Sequence, residues 1–309
     1  MSTIKILFLG AGKRLSLLEQ FIAASKLEGV DVQLYAAEIS TQVPIAEVAK
    51  IFESPKFTDP KFTAWLIEVV EREKINIVIP NMDAATVSLS SLKEKLQSMG
   101  VWPVVSSHGI CVDMQDKVLA NIWFTNHQIP VPGSTAWPKI LKPRMGFGGK
   151  SQFVVNDSIQ RENLLKSIKI TDFIEQEYLN GPEYSVDAYV SRKGVFVAAM
   201  PRLRVRVIDG EVDESLSVKI PEIEALSRRI IEVTDGWEGP ITLQFIFTNK
   251  GPLLIEINPR FGGGVTHSIY CGLNMPQWIL KEWLCRELPE NPSWKSGSVM
   301  VRCRRDIFL

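Results

Sequence analysis

The residues with the greatest chemical capacity stand together late in the chain, in Leu253-Leu254-Ile255-Glu256-Ile257-Asn258-Pro259-Arg260-Phe261-Gly262-Gly263-Gly264. A carboxylate, an amide and a guanidinium are followed at once by a glycine run. Just upstream, Ile241-Thr242-Leu243-Gln244-Phe245-Ile246-Phe247 alternates in the same way, and Asn249-Lys250-Gly251 supplies turn residues between the two stretches. A hairpin centred on Lys250 sets Gln244 opposite Glu256 and Thr242 opposite Asn258. Alternation then puts Gln244, Glu256 and Asn258 on one face, with Leu243, Phe245, Ile255 and Ile257 on the other. Opposed Cβ atoms lie roughly 5 Å apart, which suits oxygen ligands converging on a hard cation such as Mg²⁺ (or Mn²⁺). Arg260 can then meet a phosphoryl oxygen or a carboxylate, and the glycines admit a substrate close to the backbone. A solvated polar face on an ordinary hairpin fits the same pattern.

The scaffold for such a site must be sought in the rest of the 309 residues, enough for roughly two domains and a sizeable core. With 45% hydrophobic and 23% charged residues, the composition is that of a globular protein. The 35 basic and 35 acidic residues cancel, which points away from nucleic acid or an anionic membrane as partner and leaves local sites for small polyanions. Cys111, Cys271, Cys285 and Cys303 show no CxxC spacing, so reduced, mostly buried thiols in a cytoplasmic protein are expected rather than a disulfide framework or a zinc site. No run approaches the roughly 18 apolar residues of a membrane span, and Met1 to Phe8 leads too directly into a strand pattern for a signal peptide.

In chain order, Ile4 to Leu9 reads as a strand ending in Gly10-Ala11-Gly12. A helical pattern follows through Leu15, Leu18, Phe21 and Ile22, and then a second strand from Val30 to Tyr35. This βαβ opening predicts a parallel sheet. A helix from about Lys61 to Glu73 leads into a third strand, Ile75 to Pro80, and a helix around Ser90 to Met99 into a fourth, Val101 to Val105. Gly10-Ala11-Gly12 with Glu38 suggests a dinucleotide site, but Leu15 stands where the third glycine is required. A tight turn explains it better, though its N–H groups could hold a small anion. Asn81 and Asp83 lie past the third strand, where open α/β sheets bind ligands; turn chemistry and helix capping are the plain alternative.

Asp116-Lys117 opens a helix running to about His127. Then Pro138-Lys139-Ile140-Leu141-Lys142-Pro143 reads as a strand, followed by the loop Gly146-Phe147-Gly148-Gly149 and a strand from Gln152 to Val155. A lysine at a strand end beside such a loop suits clamping a triphosphate, although GxxxxGK[ST] is absent and a flexible hairpin fits too. Phe173 to Asp187 gives two strands around a Gly-Pro break, an extended segment able to offer backbone groups to an adenine edge and Glu183 to ribose hydroxyls; solvated edge strands are the alternative.

The order of these parts resembles the ATP-grasp superfamily: Asp-Lys, a strand ending Lys-Pro, a GxGG loop, an acidic hinge, Gly-x-Glu-Tyr-Ser-Val-Asp, and Gln…Glu-x-Asn-Pro-Arg. More closely, the chain resembles a stand-alone single synthetase unit of the carbamoyl phosphate synthase large subunit. The resemblance spans nearly the whole chain and implies an α/β and α+β architecture, the ATP-grasp fold behind an N-terminal Rossmann-like (pre-ATP-grasp) domain. It implies a division into residues 1–112, a lid subdomain with its leading helix at 113–180, and a C-terminal subdomain with the metal site at 181–309. It also implies an ATP-dependent, Mg²⁺-dependent ligase forming a C–N bond: a carboxylate is activated as an acylphosphate and captured by an amine or another nucleophile. Carried over by motif, Lys117 and Lys142 contact the nucleotide, and Gly146, Gly148 and Gly149 form the lid loop. Gln176, Glu177 and Leu179 frame adenine, Glu183 the ribose, and Gln244, Glu256 and Asn258 hold the metal. Arg260, with Lys142, stabilises the transferring phosphoryl group.

Two departures stand out. Many ATP-grasp ligases carry an acid where this chain has Gln244, and the carbamoyl phosphate synthase large subunit has two such units where this chain has one. A small-molecule kinase, a carbamoyl-phosphate-forming enzyme and a non-catalytic ATP-binding regulator remain alternatives, and a homodimer is left open. Pro201 to Arg206 reads as a strand with Arg202, Arg204 and Arg206 on one face, either solvated or opposite anions. Their position between hinge and hairpin favours phosphate or an acidic substrate, and Arg202 and Arg204 join the catalytic candidates. His267, after the glycine run, could touch substrate, but a structural hydrogen bond is the expectation. Met275 to Leu288 reads as a helix, and Val299 to Arg302 as a closing strand.

Overall fold

The computed structural model describes residues 3–146 and 151–309. The N-terminal part is a five-stranded parallel sheet of β1 (Ile4–Leu9), β2 (Val32–Glu38), β3 (Lys50–Glu53), β4 (Ile77–Pro80) and β5 (Trp102–Pro103), in the order β3-β2-β1-β4-β5. Its crossover helices are α1 (Leu15–Glu28) and α2 (Lys61–Glu73), followed by α3 (Asp83–Ser91) and α4 (Lys93–Ser98). The direction of winding changes at β1, so the crevice between the C-terminal ends of β1 and β4 is the switch point where such sheets bind ligands. Two differences from the sequence expectation appear. The short edge strand β3 carries too little periodicity to be seen. The helix expected around Ser90 to Met99 is a pair of helices whose first begins at Asp83, directly after β4, so the stretch from Asp83 is helix rather than turn.

Helices α5 (His108–Gln115) and α6 (Lys117–Asn126) connect to a small antiparallel sheet ordered β7-β6-β8, made of β6 (Lys139–Pro143), β7 (Phe153–Val155) and β8 (Phe173–Glu177), with α7 (Ser158–Leu165) beside it. The rest is a six-stranded antiparallel sheet ordered β13-β12-β9-β10-β11-β14. It contains β9 (Glu183–Val190), β10 (Phe196–Ile208), β11 (Glu211–Ser217), β12 (Gly239–Thr248), β13 (Gly251–Asn258) and β14 (Val299–Val301). One face packs Val186, Ala188, Ile241, Leu243, Phe245, Leu254 and Ile257 against α8 (Pro221–Glu232), which buries Ile223, Leu226, Ile230 and Ile231 at helical spacing. The other face carries Tyr189, Ala198 and Met200 into a core shared with α1, α9 (Val265–Cys271) and α10 (Met275–Trp283).

The N-terminal part and the rest of the chain are fastened by polar contacts as well. Glu238 accepts from Trp102 Nε1 at 2.6 Å and from Lys93 Nζ at 2.7 Å. Glu28 on α1 accepts from Gln277 Nε2 at 2.7 Å and from Arg286 Nη1 at 2.6 Å. Among the described residues no helix is long and apolar enough to cross a membrane. All four cysteines are unpaired; Cys111 and Cys271 are buried as expected, whereas Cys285 and Cys303 are exposed.

The β12–β13 register sets Gln244 opposite Glu256 and Thr242 opposite Asn258, as the alternation predicts, but it slips by one beyond Gln244, where Phe245 pairs with Leu254. The bulge leaves Ile255 as the extra residue and sends Leu254, rather than Ile255, into the core. Leu254→Ala should therefore cost about 2–5 kcal/mol and Ile255→Ala half of that or less. Urea unfolding of the two variants checks this, and equal losses would contradict the bulge.

Candidate functional site

Directly opposed residues on antiparallel strands share a face, so the registers align Glu256, Gln244, Ser185 and Arg202 as one polar row across four strands. With its amide set so that both ends are satisfied, Gln244 Nε2 donates to Glu256 Oε2 at 3.2 Å and Oε1 accepts from Arg204 Nη1 at 3.1 Å. Arg204 Nε also faces Glu183 Oε1 at 3.1 Å. Arg202, 1% exposed, donates from Nε to Asp187 Oδ2 at 2.8 Å and to Ser268 Oγ at 3.2 Å, and Arg206 pairs with Asp213. The three arginines thus each meet a carboxylate of the protein itself. Arg202 lies wholly inside, where its Nη1 has no partner among the described residues.

Lys142, at the end of β6, brings the small sheet to this row. Burial lowers its pKa, while Glu256 and Glu183 act in the opposite direction and Lys117 adds repulsion. Lys117 Nζ donates to Gly146 O at 2.9 Å. Asp116 caps α6 by accepting from the N–H groups of Val118 and Leu119, and its other oxygen takes Arg144 Nε at 2.6 Å. The start of α6 is thereby tied to the start of the glycine loop, a link the sequence reading missed. Gly148 and Gly149 lie outside the described residues. At the hinge, buried Gln176 donates to Asn121 Oδ1 at 3.1 Å, and Glu177 turns its carboxylate to the Ala136 N–H at 3.1 Å. The half-buried Leu179 follows.

At the far end of the hairpin, Arg260 Nε donates to Asp83 Oδ1 at 2.6 Å and Nη2 to Asn258 Oδ1 at 3.2 Å. This brings the Asp83 crevice of the parallel sheet onto the hairpin. Asn81 beside it is 5% exposed, and its Oδ1 has no partner among the described residues. Arg14, which the sequence reading passed over, donates from Nη1 to Gly262 O and from Nη2 to Phe261 O, both at 3.0 Å. Phe261 is buried edge-on against Phe21 of α1. The Gly10-Ala11-Gly12 turn is covered by Glu38. The Ala11 and Gly12 N–H groups lower the pKa of its carboxyl, but burial outweighs them and pushes it up to about 6. His267, 2% exposed, shares a 2.8 Å hydrogen bond with Ser215 Oγ, and burial followed by the Arg202 charge lowers it to about 4.

As a cation site, the hairpin end is built of oxygen donors suited to a hard ion. Glu256 supplies the one full charge, and Asn258 Oδ1 keeps a lone pair beyond its bond to Arg260. Gln244 directs its oxygen to Arg204, so it bridges rather than points at Glu256. Among the described residues no three His, Cys, Asp or Glu side chains converge, so the donors fit a cation that completes its shell with water and phosphate oxygens.

Residues 6–105 match the family model described as PylC-like, N-terminal domain, and residues 169–305 that described as ATP-grasp in the biosynthetic pathway with Ter operon. The chain is 26% identical over 220 residues to the carbamoyl phosphate synthase large chain of Campylobacter jejuni, a stretch covering 62% of this chain and 20% of that one. It thus spans only about a fifth of that relative's length. N5-carboxyaminoimidazole synthetase from Staphylococcus aureus, solved with ADP, superposes at TM-score 0.75 with 17% identity, over 97% of this chain and 82% of that one. The biotin carboxylase domain of 2-oxoglutarate carboxylase from Hydrogenobacter thermophilus, solved with MgADP, ADP and bicarbonate, gives 0.74 with 14% identity, over 98% and 75%.

Two outcomes follow from the buried charges. Arg202→Met leaves Asp187 ionised without its cation and should lower stability by about 3–5 kcal/mol in urea unfolding, with much of the loss recovered by Asp187→Asn in the same chain. His267 is depressed in the fold, so the unfolded chain takes up its proton first. Stability is complete above about pH 6.5 and falls as pH drops towards 4. Between pH 7 and pH 5 the native chain should lose about 2 kcal/mol more than His267→Gln.

Proposed function

We propose that this chain, which belongs to the ATP-grasp superfamily, is an ATP-dependent, ADP-forming ligase that activates a small carboxylate as an acylphosphate and joins it to a nucleophile such as an amine. The observation that carries the reading is Lys142. A lysine from one sheet lies near Glu183 and Glu256 of another; burial lowers its pKa, and the two carboxylates pull against that. That is a cationic finger over an acidic, metal-suited hairpin, the arrangement that gripping a magnesium nucleotide between two sheets requires.

In this reading Lys117, Lys142 and the loop of Gly146, Gly148 and Gly149 cover the phosphates. Gln176, Glu177 and Leu179 border the adenine, and Glu183 accepts from the ribose. The proposed division at residues 1–112, 113–180 and 181–309 places the nucleotide between the second and third parts. Glu256 and Asn258, with Gln244 bridging to Arg204, would hold Mg²⁺, which when bound neutralises charge on the β- and γ-phosphates. A substrate carboxylate oxygen attacks the γ-phosphorus while the bridging oxygen leaves with ADP. The nucleophile then adds to the acyl carbon, phosphate departs, and the nitrogen loses one proton to water. Lys142 and Arg260 meet the charge spread over the transferring group. Arg204 steadies Gln244 and Glu183, and Arg202 acts from beneath by fixing Asp187 and the loop above it.

Glu256→Gln should reduce ATP turnover by at least about a thousandfold with the fold retained, measured as ADP release beside far-UV circular dichroism. Undiminished turnover would remove the hairpin from the reaction. ADP release should also require both a carboxylate and a nucleophile. A phosphorylated product that accumulates without a second substrate would make the chain a kinase.

A further inference from the structure

Resting on the ligase reading, we infer that the crevice above the parallel sheet takes a substrate carrying a second oxyanion, a carboxylate or phosphate group remote from the reacting carboxylate, and that Arg14 is the residue that reads it. Three guanidiniums converge on three successive carbonyls of the loop after β13. Arg14 donates to Phe261 O and Gly262 O at 3.0 Å, Arg260 to Phe261 O at 3.2 Å, and Arg302 to Gly263 O at 2.6 Å. Two of the three have an acid of their own: Asp83 lies 2.6 Å from Arg260 and Glu211 2.6 Å from Arg302. Among the described residues Arg14 pairs with no carboxylate, and its two carbonyl bonds leave three of its five donors uncommitted.

The glycines show where there is room. A Cβ at Gly262 would come within 2.7 Å of Thr242 Oγ1, and one at Gly264 within 2.5 Å of Arg202 Nη1, so both are shut in by the sheet. At Gly263 the nearest atom is 3.8 Å away, and that atom is Arg14 Nη1. One glycine therefore opens onto space walled by the unpaired guanidinium, at the switch point between β1 and β4. The cluster also holds three guanidiniums against two paired acids: burial, then repulsion from Arg260, lowers Arg14 to about 10, with Glu211 pulling the other way and Arg302 and Asp187 contributing less. A bound oxyanion would relieve that imbalance with bidentate hydrogen bonds. Arg260 reaches back to Asn258 at the hairpin end, whereas Arg14 comes from the N-terminal domain, so the two can hold different ends of one molecule.

The test is calorimetric binding to the full chain saturated with Mg²⁺ and a non-hydrolysable ATP analogue, with succinate, glutarate and 3-phosphonopropionate as probes and butyrate as the monoanion of similar size. At least one dianion should bind about tenfold more tightly than butyrate, and the preference should vanish in Arg14→Met and in Gly263→Ala. The second variant adds one methyl that meets only Arg14 Nη1, at an unstrained 3.8 Å, so it takes up the space without breaking Arg14's grip on the loop. A dicarboxylate ahead of the phosphonate identifies a carboxylate as the second group, and the reverse order a phosphate. Butyrate binding as well as the dianions, a preference surviving both substitutions, or binding of the analogue with none of the probes overturns the inference and leaves the ligase reading to its own test at Glu256.

Discussion

A guanidinium can be taken out of water only if its charge is met, and the six-stranded sheet is arranged around meeting that of Arg202. Asp187 on the next strand supplies the countercharge and Ser268 bonds both Arg202 and Asp187, while Arg202 Nη1 is left without a partner among the described residues. For Ser268 to reach them, the chain leaving the hairpin must press its backbone onto the sheet. Gly262 and Gly264 allow this because no Cβ fits beneath them. The route of that loop in turn brings Phe261 into the core of the parallel sheet and exposes three carbonyls to the arginines of the crevice. One buried ion pair thus dictates where the chemical groups of the hairpin end and those of the N-terminal domain come together.

Much of this was legible in the sequence. The hairpin register at Gln244 and Glu256 followed from alternation and one turn, because a single slipped residue would have put polar groups in the core. The βαβ opening was equally plain, and the parallel sheet agrees with it; the order of the motifs pointed to the ATP-grasp family whose models match the two ends of the chain. What escaped notice was of two kinds. The bulge at Ile255 sits in a run of three apolar residues, Leu253 to Ile255, any of which could fill the core position, so the pattern carried no sign of it. The partners of Arg14 were hidden for a different reason: they are backbone carbonyls 247 and 248 residues away, and backbone acceptors leave no trace in side-chain types.

Arg202, Arg204 and Arg206 show the limit from the other side. Their alternation was visible, and three like charges in a row pointed either to solvent or to anions, with phosphate or an acidic substrate favoured. The anions proved to be Asp187, Glu183 and Asp213 on neighbouring strands, known only once strand order places β9 and β11 on either side of β10. The glycine turn after β1 is a comparable case. Its N–H groups were available in principle to an anion, and the carboxyl of Glu38 stands over them.

The fastenings at Glu238 and Glu28 bear on how the molecule must behave in time. They tie the parallel sheet to the start of β12 and α1 to the α10 segment, two separated points, so parting the two layers means breaking both together, a rare excursion close in cost to global unfolding. Among the described residues the small sheet is joined to its surroundings in part by exposed bonds, such as Lys117 to Gly146 and Glu177 to Ala136, beside the part-buried ones at Arg144 and Gln176. Amide protons of β1, β4 and β12 should therefore outlast those of β6 and β8 by orders of magnitude in exchange. The crevice above the parallel sheet is thus part of the firmly fastened body, and in the proposed reading the small sheet could move over the phosphates without disturbing it.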